Sequence, residues 1–345
     1  MNNSTILLND LESVIYDNAI PWETLQNSNV LITGATGMIG RGCVNVLGLL
    51  NKACGYNIKI YALGRNLEKG KELAQISGVQ FMQADIKNAL EIEGAIDYII
   101  HCAAVTKSSE MLSNPVGVIE TELSGSKNML EFARAKNCKS FLYTSSMESY
   151  GLLDLSDVTE TDQGYIDLTN PRSSYPMCKR MTESLCNCYW SQYHLQTNIV
   201  RLGMVFGAGE EFANDNRVWA QFAQRVFKQE PIILHTEGKS LRSFTYLSDA
   251  LKGIFLVLLL SPGGETYNIA THSCEIRAFA ENLADKYELK VEITPPKNIA
   301  QLGYAKEYKL PLNSEKIKAL GWKPQIARVE DMVARVIEHR HEHKK

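Results

Sequence analysis

The sequence predicts an α/β fold, a doubly wound parallel sheet with a smaller C-terminal lobe, and three observations carry that expectation. Short apolar runs alternate with helical patterns through five repeats between Val30 and Ser145, and strands joined by crossover helices form parallel sheets that bind ligands at their carboxyl ends. The first run, Val30 to Thr33, passes directly into a turn with glycines at Gly34, Gly37 and Gly40 and then into a helix. Finally, 345 residues, 45% of them hydrophobic, exceed one average domain and suffice for a full core with a second lobe.

Taken in order, residues 1–28 are an extension in which Leu11, Val14, Ile15 and Ile20 recur at near-helical spacing before Pro21-Trp22; a short helix leads into the first strand and covers the sheet edge or forms an interface. Residues 29–200 form the unit of alternating strands and helices, and 201–345 mainly the smaller lobe, with some segments returning to the core. Val30 to Thr33 is a buried strand, and Ile39 to Leu50 an apolar-rich helix starting near Met38. Ile58 to Leu63 is the second strand, Val79 to Met82 the third, Tyr98 to Ala104 the fourth and Phe141 to Ser145 the fifth, with Pro115 to Asn137 a long crossover helix before the last.

The glycine spacing G-x-x-G-x-x-G answers the demands of a dinucleotide: a tight turn, backbone approach to a pyrophosphate, and close packing of helix on strand. Free N–H groups at Met38 and Ile39 open the helix. The second strand ends in Arg65 with no acid beside it, and an arginine there suits a ribose 2′-phosphate where an acid would suit a 2′-hydroxyl. The expected cofactor is NADP(H) in preference to NAD(H).

Two later segments carry chemistry. Ser145-Ser146-Met147-Glu148-Ser149-Tyr150-Gly151 follows the fifth strand, and Tyr175-Pro176-Met177-Cys178-Lys179 comes about thirty residues on. Four residues on a helix place Tyr175 and Lys179 on one face. A phenol is a poor base at neutral pH unless a nearby ammonium favours its phenolate.

The run from Thr33 to Gly40 resembles the TGxxGxxG fingerprint of the extended short-chain dehydrogenase/reductase family, in its nucleotide-sugar epimerase and dehydratase branch, and the likeness extends from Asn29 nearly to the C-terminus. It implies that residues 29–200 are a Rossmann-type dinucleotide-binding unit and 201–345 mainly a substrate-binding lobe, and that Ser146, Tyr175 and Lys179 are catalytic. It further implies that Asp85 and Ile86 contact the adenine and that Ala103 and Ala104 lie beside the cofactor ribose. Glu148 occupies a position at which dehydratases and decarboxylases of the family keep a glutamate close to the sugar ring; a structural acid paired with a nearby arginine is the other reading. Met147 departs from the aspartate of some dehydratases.

Asn216-Arg217-Val218 and Leu241-Arg242-Ser243-Phe244-Thr245-Tyr246 resemble segments whose arginines clamp a nucleotide diphosphate, a task suited to a planar guanidinium. Met204 replaces the asparagine usual after Arg201. Tyr267 to Ala270 and Leu320 to Pro324 match late segments of the family.

Composition excludes other classes. A net charge of −3 carries no polyanion signature, which leaves nucleic acid out. MNNSTILLND lacks a basic region followed by a long apolar core, and the run from Ile254 to Leu260 is too short to span a bilayer. Eight cysteines lie scattered among elements, as thiols do in a reducing cytoplasm. Cys186-x-Cys188 has no second ligand pair, and the histidines His339, His341 and His343 read as a frayed, solvated helix end; no metal is expected. The expected partners are a nucleotide-sugar substrate and a second copy of the chain, with no membrane. The expected reaction passes the sugar through a ketone before elimination, epimerisation or decarboxylation. An NADPH-dependent reductase of a keto nucleotide-sugar is the alternative, and a catalytically inactive sensing or scaffold protein ranks behind both.

Overall fold

The structure, a computed structural model, describes residues 5–213, 215–294 and 308–342. The chain opens with helix α1 (Thr5–Ile15) and strand β1 (Asn29–Thr33), continues through α2 (Met38–Cys54), β2 (Lys59–Gly64), α3 (Leu67–Leu73), β3 (Val79–Gln83) and β4 (Tyr98–His101), and reaches the crossover α4 (Ser108–Ser113), α5 (Pro115–Ile119) and α6 (Gly125–Ala135). Then come β5 (Ser140–Ser146), α7 (Ser174–Tyr193), β6 (Thr197–Leu202), β7 (Met204–Phe206), α8 (Val218–Lys228), β8 (Ile232–Leu234), β9 (Leu241–Tyr246), α9 (Leu247–Leu260) and β10 (Glu265–Ile269). The remainder holds β11 (His272–Glu275), α10 (Ile276–Lys286), β12 (Val291–Ile293), α11 (Glu315–Lys318) and α12 (Val329–Glu342).

The main sheet has seven strands in the order β10-β6-β5-β4-β1-β2-β3, paired in parallel throughout. The order reverses between β1 and β4, which opens a crevice at the carboxyl ends. Register aligns those ends: Thr33 pairs with Leu63 on one side and His101 on the other, and Ser146 pairs with Leu202. The residues that follow β1, β2, β4 and β5 therefore emerge on one edge.

Strand residues alternate between two cores because successive side chains point to opposite faces. Val30, Ile32, Ile60, Ile100 and Leu142 pack under α2 and α9, whereas Leu31, Leu63, Ile99, Phe141 and Tyr143 pack under α6 and α7. A third core joins α8, α10 and α12 to β8 and β9. Arg201 braces β6 to α7: its guanidinium meets Glu183 at 2.7 Å and lies 4.5 Å over the Tyr150 ring.

Helix α1 packs on the α2/α9 helix layer rather than along an edge of the sheet. Leu11, Val14, Ile15 and Ile20 are buried in the α2/α9 core, and Asp10 ties α1 to two distant elements, accepting from Tyr246 Oη at 2.7 Å and Arg335 Nε at 2.6 Å.

Three expectations need correction. The fourth strand stops at His101 and does not run to Ala104. Gly34 turns β1 away there, and Ala103 N–H bonds instead to the Thr33 hydroxyl at 3.2 Å. The long crossover is interrupted by a π turn, Glu120–Ser124. The C-terminal histidines do not fray within the described residues: His339 is buried and His341 stacks on Phe227 at 5.0 Å, because α12 has an apolar partner in α8. His343 lies outside the described residues.

Candidate active site

The glycine turn is shaped by backbone. Gly34 has φ +65°, and a Cβ there would stand 2.7 Å from Ala103 N. At Gly40 a Cβ would meet Gly34 O at 2.4 Å, so α2 can lie against the turn only without a side chain. Gly37 differs: a Cβ would meet only Gly34 O, at 3.3 Å, and as N-cap of α2 it gives no side-chain cap. The first N–H groups of α2, at Met38 and Ile39, thus start a helix of 17 residues behind an open glycine face, a cradle that fits a diphosphate.

Arg65 follows β2 and, with Lys87, Val105 and Asn114, lines a cavity of about 230 Å³. Asp85 stands at its expected place, but its Oδ1 accepts from Lys87 N–H at 2.9 Å and so shapes the turn. Ile86 is buried against Gly125, and Asn128 pins the same loop through the carbonyls of Ile86 and Lys87 at 3.1 and 2.7 Å. Ala103 and Ala104, half-buried, pass beside the glycine turn.

His101 is a packed strand residue. Its ring nitrogens meet Thr33 Oγ1 at 2.7 Å and Ser126 Oγ at 3.0 Å, and burial, then the charge of Lys179, pushes its pKa down to about 3.

β5 delivers Ser146 to the carboxyl edge, where its Oγ accepts from Glu148 N–H at 3.2 Å and starts the 3-10 turn Met147–Tyr150. Tyr175 and Lys179 lie one turn apart on α7, as their spacing predicts. Lys179 is buried; its Nζ donates to Thr144 O at 3.1 Å, pairs with Glu122 at 3.3 Å, and lies 4.7 Å over the Tyr143 ring and 5.5 Å over that of Tyr175. The Tyr175 phenol is held well above its ordinary pKa by burial first, then by the charges of Glu148 and Glu122, while a hydrogen bond with Ser146 and the charge of Arg172 oppose them. Glu148 is paired: Arg172 donates to both its oxygens, at 3.1 and 2.9 Å. Both readings of Glu148 therefore meet in one place, since the arginine that pairs with it lies 6.0 Å over the Tyr175 ring.

Arg242, at the start of β9, lies 3.6 Å over the Tyr308 ring; burial lowers its pKa to about 10, with Glu148 acting against the shift. It is thus within reach of the Glu148 charge. Arg217 caps α8 and is engaged locally, by Asp215 at 2.6 Å and the Val205 carbonyl at 3.0 Å. Met204 packs between the C-terminal core and the cluster of Met147, Tyr150, Leu310 and Leu312, an apolar role for a position where the resemblance implied an amide. Glu122 and Arg172 were not expected. Glu122 is one acid within a helical pattern and has no local signal; Arg172, in Asn170-Pro171-Arg172 just before Tyr175, could have been found by its nearness to the motif.

The sequence profile of the NAD dependent epimerase/dehydratase family matches residues 30–270. The chain belongs to that family. Among curated relatives it is 27% identical over 303 residues to UDP-glucuronic acid decarboxylase 6 of Arabidopsis thaliana, covering 87% of this chain and 85% of that one. It is 25% identical over 232 residues to UDP-glucuronic acid decarboxylase 1 of Xenopus tropicalis, covering 66% of this chain and 53% of that protein; the chain thus spans about half the length of that relative. Solved structures share the fold. UDP-glucose 4-epimerase of Thermotoga maritima superposes with a TM-score of 0.75 at 20% identity, over 92% of this chain and 100% of that one. A dTDP-glucose 4,6-dehydratase of Streptomyces venezuelae, solved with NAD bound, gives 0.75 at 22%, over 92% and 98%. Among the described residues no helix is long and apolar enough to cross a membrane.

Proposed function

We propose that this chain modifies a nucleotide-activated sugar through a keto intermediate, by dehydration, epimerisation or decarboxylation. The observation that carries the reading is the meeting of Ser146, Tyr175, Lys179 and the Glu148–Arg172 pair on the sheet edge that also carries the glycine cradle. Membership of the family supports it, as do relatives named as decarboxylases of a nucleotide-linked uronic acid.

The cofactor supplies hydride acceptance and return. The chain's residues do the rest. Gly34, Gly37 and Gly40, with the N–H groups of Met38 and Ile39, would hold the cofactor diphosphate; Ala103 and Ala104 would contact its ribose, and Asp85 and Ile86 its adenine. Ser146 holds the substrate oxygen, and Tyr175 takes and returns its proton. Lys179 opposes the negative charge that forms on Tyr175. Glu148, both of whose oxygens accept from Arg172 Nη2, moves the proton of the step after oxidation. Arg242 and Arg217 hold the nucleotide diphosphate from the 201–345 side.

Arg65 and Lys87 together line a cavity beyond β2, which supports NADP(H) over NAD(H) through a 2′-phosphate contact. Leu112, Val116 and Ile119 on α4 and α5 and Met181 on α7 are exposed apolar residues; they support a homodimer through this face, which sedimentation of Val116→Lys against the parent chain would test. Eight free thiols fit a reducing cytoplasm.

The deciding experiment uses Glu148→Gln, which keeps size but cannot act as a base. With candidate nucleotide-sugars in single turnover, the variant is expected to reduce the nicotinamide and then stall with a keto sugar, seen by absorbance and mass spectrometry. Completion at near wild-type rate with stoichiometric coenzyme consumption would overturn the reading in favour of a reductase.

A further inference from the structure

The chemistry above does not call on Glu122. Yet among the described residues its pair with Lys179 is the ion pair with both side chains most deeply buried, at 0% and 2% exposure. Taking a carboxylate out of water is costly and is tolerated only where a cation and hydrogen bonds replace the solvent. Those replacements are present. Lys179 Nζ stands 3.3 Å from Oε2, Val105 N–H donates to Oε1 at 3.2 Å, and the Tyr143 hydroxyl donates to Oε2 at 3.4 Å. Three elements, the loop after β4, β5 and α7, thus converge on one carboxylate.

The backbone is adapted to the same end. Glu122 lies in the π turn Glu120–Ser124, a local widening of a helix that costs regular hydrogen bonding and gathers at functional sites. The Thr182 hydroxyl, on the turn of α7 after Lys179, donates to the Glu122 carbonyl at 3.4 Å, so the π turn and α7 are tied beside the pair.

We propose that Glu122 is a positioning residue: it fixes the Lys179 ammonium against the Thr144 carbonyl and offsets the charge that Lys179 would otherwise lend to Tyr175. The phenol, which burial already keeps protonated, is held so more firmly by this charge in the free protein. The other charged groups near the pair do not replace Glu122. Glu148 and Arg172 act on Tyr175 as an ion pair in which the carboxylate has the larger effect, and the charge of Glu148 also reaches Arg242. Glu183, farther along α7, is committed to Arg201. His101 is neutralised by burial, and Cys178 is held protonated by burial with a pKa of about 12. Removing the Glu122 charge alone leaves the ammonium unopposed beside the phenol.

The inference rests on Tyr175 as the proton-transfer group, but it is tested in the free protein without substrate, so its failure is separable from failure of the functional reading. Tyrosine labelled with ¹³C at Cζ, assigned with Tyr175→Phe, reports phenol ionisation by NMR during a pH titration. In the wild type, the Tyr175 signal should remain that of a phenol past the ordinary tyrosine value of about 10. In Glu122→Gln it should titrate at least about one unit lower than in the wild type, a tenfold gain in phenolate. Glu122→Asp keeps the charge but withdraws it, and should titrate between the two; it also serves where Glu122→Gln does not fold. An unmoved Tyr175 titration in whichever of the two variants is folded overturns the proposal, as does a Glu122→Asp titration as low as that of Glu122→Gln.

Discussion

Two ion pairs border Tyr175 and differ chiefly in their access to water. Lys179–Glu122 forms the floor of the site at 3.3 Å with both side chains almost fully buried; Arg172–Glu148 forms its mouth at 2.9 Å with the side chains 29% and 33% exposed. Inside the fold the low dielectric makes a missing partner expensive, so the floor pair is a fixed charge arrangement. At the mouth water competes, so the pair can exchange partners at small cost. The comparison teaches that length alone does not rank two ion pairs. The shorter one is the weaker constraint, and its carboxylate is the one open to water.

The largest expected effect breaks the floor. Glu122→Ala leaves an unpaired buried ammonium and should destabilise the fold by about 3–5 kcal/mol, read as a shift in the denaturant midpoint; a loss below 1 kcal/mol would make floor and mouth equivalent. Next, Tyr175→Phe keeps the ring over Lys179 but removes the proton, so turnover should fall by roughly two or more orders of magnitude while cofactor binding, followed by calorimetry, survives. Retained turnover would falsify the role given to Tyr175. A smaller effect lies at the cavity after β2, away from both pairs: Arg65→Asp should weaken NADP(H) by about 1–3 kcal/mol and leave NAD(H) little changed, and equal losses for both coenzymes would remove Arg65 from cofactor choice. The smallest is at the mouth, where Arg172→Ala should cost about 0–1 kcal/mol of stability. A loss approaching that of Glu122→Ala would show that the mouth pair is as rigid as the floor.

Much of this was legible in the sequence because it depends on local spacing. The parallel sheet follows from apolar runs alternating with helical patterns, and the glycine turn from three positions where a Cβ has no room or must leave a face open. Tyr175 and Lys179 share a face because four residues nearly complete a helical turn. The end of β4 was less legible: Cys102 to Ala104 look like strand, but a strand needs a neighbour, and Gly34 takes that neighbour away. The histidine-rich end of α12 likewise reads as solvated in the sequence, because its partner Phe227 belongs to a distant helix.

By itself, then, the sequence determined the fold class, the cradle of Gly34, Gly37 and Gly40, and the candidates Ser146, Glu148, Tyr175 and Lys179, since each is written within a few consecutive residues. Only the tertiary structure decided which charges those residues meet. Glu122 lies 57 positions before Lys179, and Arg172 lies 24 after Glu148; nothing local marks Glu122, and the nearness of Arg172 to Tyr175 does not name the acid it pairs with. A charge acquires its effect from the dielectric around it and from the partner within about 4 Å, and both are set by how distant elements pack.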